Sequence, residues 1–515
     1  MTSIMEKYHG TGLCLSFGRI SRVSSASAGL KPKVVRAGST MTATASARAG
    51  APRRRFIVST LFALMWHSAV YAADADTTAS TFPELDAAVD AGIKMILIKP
   101  YTWPSGNTSS MHEIQFQHQL DVREGASVSI KSADRSRMTL SGQSFTRLFF
   151  LRNGSKMSLR DLDLVRGAVT TDPGGVDCYD CGGAIFVSPG SELLLVSVRV
   201  SANRASLGGA IYAVRSTVIA SDCTFYSNSA LDGGGGAVFA GSNSTITAID
   251  CTMTLNYAER GRGGAVAAVH GSIVTAIDCT TTSNRARRGG TFSAEIESTI
   301  TATNCSMVSN SAFSGGGAVT AIGRSSITAV HCTMISNYAR RGGALYGNDH
   351  STVTATECMM ISNSAGLGGA VYTAGFSTTF RAANCTMTSN SAYSGGALYG
   401  TANSTVTATD CTMISNSAAQ DGGAAAAMDG SNMTALHCAM ASNSAELWGG
   451  AVAARGGSTF AALECTMAFN TADLGGAFST GDDAAVTAIR CTLASNTARC
   501  GRAVRAGSTS EVGYS

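Results

Sequence analysis

From Cys223 onward one cysteine returns at Cys251, Cys279, Cys305, Cys332, Cys358, Cys385, Cys411, Cys438, Cys465 and Cys491, at steps of 28, 28, 26, 27, 26, 27, 26, 27, 27 and 26 residues. Five residues after each cysteine stands an asparagine: Asn228, Asn256, Asn284, Asn310, Asn337, Asn363, Asn390, Asn416, Asn443, Asn470 and Asn496. Asn203 carries the pattern one unit upstream, with Val198 in the cysteine's place. Such a period makes each unit one supersecondary element that buries its apolar face only by stacking on its neighbours.

The words around the cysteine divide each unit into three strand-length segments. They read like Gly-Gly-Ala-Val-Tyr, Ser-Thr-Val-Thr-Ala and Cys-Thr-Met, each compatible with alternation of inward and outward residues. An alanine stands three residues before each cysteine, from Ala248 to Ala488, and the second residue after it is most often Met. About 27 residues with three strands is one coil of a parallel β-helix, too short for a four-stranded propeller blade of about 40–45. Equivalent positions then stack about 4.8 Å apart. Ala, Cys and Met ranks fill the core, and a glycine pair turns a corner that a side chain would forbid. The asparagines are expected at a turn in the left-handed conformation, bonded to their stacked neighbours. The stretch between asparagine and Gly-Gly varies in length and is expected to be a loop. Low charge, 14% of residues, suits a core that cannot accept ions.

The ends differ. Val128-Ser129-Ile130, Leu148–Leu151 and Met157–Leu159 read as strands of less regular first coils. Thr81-Phe82-Pro83-Glu84 reads as a capping box opening a short helix, with Leu85, Ala88 and Val89 on one face and Gly92 at its end. This helix is expected to plug the N-terminal end of the core. The C-terminal end shows no such plug; Ala503-Val504-Arg505 is expected to finish a partial coil, and an uncovered parallel edge invites self-association. Arg53-Arg54-Arg55, an apolar run and Val70-Tyr71-Ala72 have the order of a secretory signal. The expected organisation is a leader extension or mis-assigned start (1–52), signal (53–72), N-terminal capping region (73–124), β-helix (125–505) and tail (506–515). Residues 1–72 hold ten Lys/Arg and one acid, so their removal takes the formal charge from +4 to −5. A mildly acidic chain has no electrostatic footprint for nucleic acid, and no membrane span is expected after signal cleavage.

Gly182-Gly183-Ala184-Ile185, Gly369-Ala370-Val371-Tyr372, Phe225-Tyr226-Ser227-Asn228 and Met253-Thr254-Leu255-Asn256 resemble the repeats of polymorphic outer membrane proteins. More broadly the chain is similar to right-handed parallel β-helix proteins of the pectin-lyase-like class. The resemblance covers about residues 125–505 and implies an all-β, single-stranded right-handed solenoid. Those proteins typically end in a membrane β-barrel, whereas this sequence stops fifteen residues after Cys500. Enzymes of this fold cleave acidic polysaccharides with clustered carboxylates, often with calcium.

No catalytic residue is assigned. The residues before the cysteines form a mixed polar column: Asp250, Asp278, Asn304, His331, Glu357, Asn384, Asp410, His437, Glu464 and Arg490. It reads as a solvated rank at a turn or as a site, with Asp222, Asp250 and Asp278 as calcium candidates. No other cofactor is implied. Asp482-Asp483, His270, Asp349-His350 and Glu295-x-Glu297 are expected in loops or turns. The cysteine ladder reads as a column of soft hydrophobes. Cys178 and Cys181 are expected to form a local disulfide, and Cys491 is a possible partner for Cys500. Thr245-x-Thr247, Thr299-x-Thr301, Thr352-x-Thr354 and Thr405-x-Thr407 form an outer threonine face, nearly joined by Ser326-x-Thr328 and Asn432-x-Thr434 and interrupted at Arg381 and Ala461. Glycosylation sequons stand at Asn107, Asn153, Asn243, Asn403 and Asn432, with two more at Asn304 and Asn384 beside the cysteines. The expected role is a secreted or cell-surface structural or adhesive protein, with a polysaccharide or cell-surface ligand as partner. The alternatives are a polysaccharide lyase or hydrolase, and an ice-binding protein.

Overall fold

The computed structural model describes residues 76–102, 110–133, 137–169, 178, 180–481, 483–499, 503–505 and 511–514. The expected leader and signal, Asn107, Asp482 and Cys500 lie outside the described residues. What remains belongs to one compact unit, a right-handed parallel β-solenoid of about 14 turns with roughly 27 residues per coil.

Three parallel sheets run its length. A broad sheet carries the Ser-Thr-Val-Thr-Ala words from Thr217–Ser221 to Ala485–Ile489. A narrow one carries the Cys-Thr-Met words, and a third the Gly-Gly-Ala-Val-Tyr words. On the broad sheet every pairing between Thr217 and Ile489 is in simple register. The stretch expected as a loop is a fourth ladder, from Arg204–Leu207 to Thr497–Ala498. Its register shifts at Ala205/Leu207, Ala258/Arg262, Ala286/Arg288 and Ala392/Ser394, so bulges absorb the variable length while most of the segment stays paired.

The core follows the repeated words. Ala355, Cys358 and Met360 are each 0–1% exposed, as are their equivalents along most of the array. Thiols stay bonded: Cys358 Sγ donates to the carbonyls of Ala329 (3.5 Å) and Thr356 (3.3 Å). A buried serine rank adds to this column. Ser244, Ser272, Ser298 and Ser325 are 0–1% exposed, and the Ser244 amide donates to Ser272 Oγ at 3.2 Å.

Two corners depart from expectation. The ladder asparagines are not left-handed; the residue before each is, as at Leu255 (φ 56°) and Ser362 (φ 54°). The residue before each cysteine is left-handed too, as at Asp250 (φ 51°) and His331 (φ 53°). Displacing the strain by one residue lets the asparagine point inward. There Asn363 Nδ2 donates to the Met334 carbonyl (2.9 Å) and to Asn390 Oδ1 (3.0 Å), while its own Oδ1 accepts the amide and Nδ2 of Asn337. Both lone pairs and both amide hydrogens are used, which is what full burial requires. The glycine pair serves two needs. Gly342 has φ +62°, and a Cβ on Gly343 would lie 2.1 Å from the Gly369 carbonyl of the next coil.

The solenoid also extends further than the repeated words. Thr77–Ala79 and Met95–Ile98 join the broad sheet, and Glu113–Gln115 and Leu120–Val122 begin the narrow and third sheets. These lie inside the expected capping region; their cores use Ile, Leu and Phe in place of Ala, Cys and Met, so the repeat vocabulary does not mark them. At the other end Glu511–Tyr514, expected as tail, pairs with Ala485–Ala488. The helix forms at Phe82–Asp90, with the Glu84 carboxylate accepting the amides of Ser80 and Thr81. Phe82, Leu85, Ala88 and Val89 are buried, and Phe82 meets Phe116 at 5.0 Å, closing the core as expected.

Candidate functional site

The polar column before the cysteines is assembled by its own left-handed corners. Each such residue leaves the core strand with positive φ and projects from a turn: Asp222, Asp250, Asp278, Asn304, His331, Glu357, Asn384, Asp410, His437, Glu464 and Arg490 all do so. Stacking brings neighbours into contact. His437 lies 3.4 Å from Asp410 and 2.9 Å from Glu464, and Arg490 lies 2.7 Å from Glu464. His331 meets Glu357 at 3.2 Å. Of the calcium candidates, Asp222 accepts Ser197 Oγ at 2.7 Å and Asp278 is bonded by Asn304. Asp222, Asp278, Glu357, Asp410 and Glu464 therefore look along the column to a neighbouring coil. Among the described residues no group of three or more His, Cys, Asp or Glu is placed to hold a metal ion. His437 and its partners are about half exposed, so these ion pairs are of the solvated kind.

The threonine face forms as expected, and the register adds Thr275 to it. Thr247, Thr275, Thr301, Thr328 and Thr354 follow one another in register on successive coils. Arg381 then breaks the rank, which resumes at Thr407 and Thr434 before Ala461. Thr379 Oγ1 donates to Thr352 Oγ1 at 3.4 Å, one of the hydroxyl contacts that run along the solenoid.

The third site was not legible as such in the sequence. The fourth ladder folds against the outer face of the third sheet, and outward-pointing side chains there become buried. Tyr346, Tyr372 and Tyr399 stack with ring centroids 5.3 and 5.4 Å apart. Burial pushes the Tyr372 and Tyr399 phenols up to about 12. Upstream, Phe150, Phe186, Tyr212 and Phe239 form a second stack. Glu295, expected in a turn, ends the strand Phe292–Glu295 and is 5% exposed. Arg262 and Arg288 of the fourth ladder hold its carboxylate at 2.6 and 3.4 Å. Asp421, Arg455 and Trp448 make a similar cluster further along, with the Asp421–Arg455 pair at 3.2 Å and the guanidinium 4.7 Å from the indole. The signal that reveals them is that Tyr, Glu and Arg recur at outward positions of strands whose outer face the fourth ladder covers.

The other expected sites are placed separately. Cys178 and Cys181 are joined in a disulfide, and Cys491 has no disulfide partner among the described residues, which leave out Cys500. Asn153, Asn243, Asn403 and Asn432 are exposed at turns or strand ends, as are Asn304 and Asn384. Glu297 pairs with Arg324 at 3.4 Å, and His270, Asp349 and His350 occupy left-handed turns.

Residues 222–241 match the model of the Chlamydia polymorphic membrane protein repeat. No curated protein matches the chain. Among solved structures, the mannuronan C-5 epimerase A-module of Azotobacter vinelandii is similar at 12% identity and a TM-score of 0.23, over 84% of this chain and 93% of that one. A periplasmic alginate epimerase is similar at 10% identity and a TM-score of 0.24, over 86% and 84% of the two chains. At those TM-scores neither carries an argument about this chain. No helix among the described residues is long and apolar enough to cross a membrane, which says nothing about a β-barrel.

Proposed function

We propose that this chain is a surface-exposed β-helix protein, secreted or held at a cell surface, that binds a polysaccharide or cell-surface ligand and does not convert it. The observation that carries this reading is the unbroken register of the broad sheet from Thr217 to Ile489, which repeats mainly threonine groups outward at coil spacing on a rigid frame. Such a face suits many weak, identical contacts with an extended ligand. Catalysis asks for the opposite, a few groups converging on one point with perturbed acidities. The polar column diverges from that need, because its carboxylates and histidines pair along the stack and stay half exposed.

The test is to incubate the purified protein with alginate and polygalacturonate, with and without calcium. Unchanged polymer chain length, unsaturation and uronate stereochemistry, together with retention of the protein on a glycan surface, supports the reading. Any turnover of the polymer overturns it. A second reading, ice binding, is favoured by the run from Thr247 to Thr354 alone. Thermal hysteresis abolished by Thr301→Leu and Thr328→Leu supports it, and absence of hysteresis in the unsubstituted protein removes it.

A further inference from the structure

The outer side of the fourth ladder carries a localised cationic and aromatic face. Its strands Tyr257–Arg262, Arg285–Arg288 and Tyr338–Arg341 hold seven arginines, against Asp232, Glu259 and the facing Glu295. Pairing of Ala286 with Ala312, and of Ala312 with Ala339, sets the register. The buried alanines alternate with two outward columns. In one column Tyr257, Arg285, Ser311 and Tyr338 succeed each other, with the Arg285 guanidinium 6.0 Å from the Tyr257 ring. In the other, Arg287, Phe313 and Arg340 follow on successive coils. Phe313 is 75% and Tyr338 59% exposed. Gly366 comes next, stacked against the Arg340 carbonyl, and Tyr393 follows with 55% exposure.

Two features make this a ligand-facing surface. Among the described residues Arg285, Arg287 and Arg340 enter no ion pair, whereas Arg260, Arg262 and Arg288 on the same strands are each held by a carboxylate. Exposed phenyl and phenol rings stand among those guanidinium groups, and the ring contact of Arg285 with Tyr257, at 6.0 Å, leaves its donors unpaired by any carboxylate. The whole chain without its first 72 residues is acidic, so the field is local and cannot be ascribed to a generally basic protein. No lysine follows Lys156, so every cation of the repeat array other than histidine is arginine. Guanidinium is planar, weakly hydrated and suited to bidentate contact with oxyanions, and it stacks on flat apolar surfaces.

We infer that this face, formed by Arg285, Arg287 and Arg340 with Phe313 and Tyr338, binds a linear sulfated polysaccharide lying along the solenoid axis. Sulfate esters are weakly hydrated anions that match guanidinium better than carboxylates do, and the rings take the apolar faces of the sugars. Nucleic acid is the competing polyanion, and the chain without its first 72 residues is net acidic and lacks the extended basic footprint that nucleic acid needs. The inference rests on the binding reading above and names its ligand class and site.

The test uses the full chain and its triple variant Arg285→Ser, Arg287→Ser, Arg340→Ser, with Arg324→Ser, in an exposed turn away from this face and from the threonine face, as control. All four positions are exposed, and circular dichroism with a melting curve verifies folding. Surface-immobilised dextran sulfate, dextran, polygalacturonate and single-stranded DNA are the probes. Expected is salt-sensitive binding to dextran sulfate, none to dextran, and affinity reduced about tenfold or more in the triple variant with Arg324→Ser unchanged. Phe313→Ser is expected to weaken binding without altering its salt dependence. Failure of the unsubstituted protein to bind dextran sulfate, equal binding by the folded triple variant, or tighter binding to polygalacturonate or DNA each overturns the inference. None of those results depends on polymer turnover, so the binding-without-conversion reading stands or falls separately.

Discussion

Asn363 offers the sharpest measure of what holds the stack together. Its side chain makes four hydrogen bonds of 2.9–3.0 Å: two donated, to the Met334 carbonyl and Asn390 Oδ1, and two accepted from the amide and Nδ2 of Asn337. Asn337, Asn363 and Asn390 are all 0% exposed, so water has no surface route to replace them. Asn363→Ala strands two buried donors of Asn337 and removes a bond from the Met334 carbonyl. An orphaned buried polar group costs about 1–3 kcal/mol, so the two donors alone predict a loss of about 2–6 kcal/mol. Asn496 makes equivalent bonds, to Met467 and from Asn470, but is half buried at the end of the rank. Asn496→Ala is therefore expected to cost about 1–2 kcal/mol, because water can reach the vacated acceptor. Guanidinium titration followed by circular dichroism gives both values, and hydrogen exchange at the Asn337 amide reports the local opening. A loss below about 1 kcal/mol for Asn363→Ala, or equal losses at the two positions, would refute the ladder as the energetic spine of the solenoid.

Other outcomes follow from the same geometry. Gly343→Ala places a Cβ 2.1 Å from the Gly369 carbonyl, against backbone that cannot retreat without parting the coils; the expected cost exceeds about 3 kcal/mol, read as a collapse of the melting temperature or of soluble yield. Stability is expected to fall as pH rises above about 8.5 and more steeply near 10, where unfolded thiols and phenols ionise. Cys279 is pushed up to about 12 by its hydrogen bond to Cys251 and by burial, and Tyr372 and Tyr399 reach about 12 by burial. The folded state thus holds protons that the unfolded state releases between the two values, which lowers stability with rising pH. A denaturation midpoint unchanged between about pH 7 and 10.5 would contradict this. Glu295→Gln leaves Arg262 and Arg288 facing each other without the carboxylate between them; a loss of about 1–2 kcal/mol is expected, kept modest by their partial exposure, and a melting curve checks it.

The sequence alone determined the period, the three main strands of each coil, the ranks of Ala, Cys and Met in the core, and the capping helix at Phe82–Asp90. Those features repeat or are local, and stacking forces each coil to present the same shape at the same place. Its words also placed the threonines outward, because alternation along a strand decides the face. Only the tertiary structure decided which residues take the left-handed strain. Asn363 and Ser362 are adjacent, and the burial of a fully bonded amide settles which of them turns inward. The stretch after each asparagine pairs with its copy in the next coil even where its length changes, since unpaired backbone beside a solenoid would cost more than a bulge. That pairing covers one outer face, buries Tyr372 and Glu295, and gathers Arg285, Arg287, Phe313 and Arg340 from separate repeats onto one exposed wall. Net charge conceals such a wall, because it averages over the chain what stacking concentrates on a few coils.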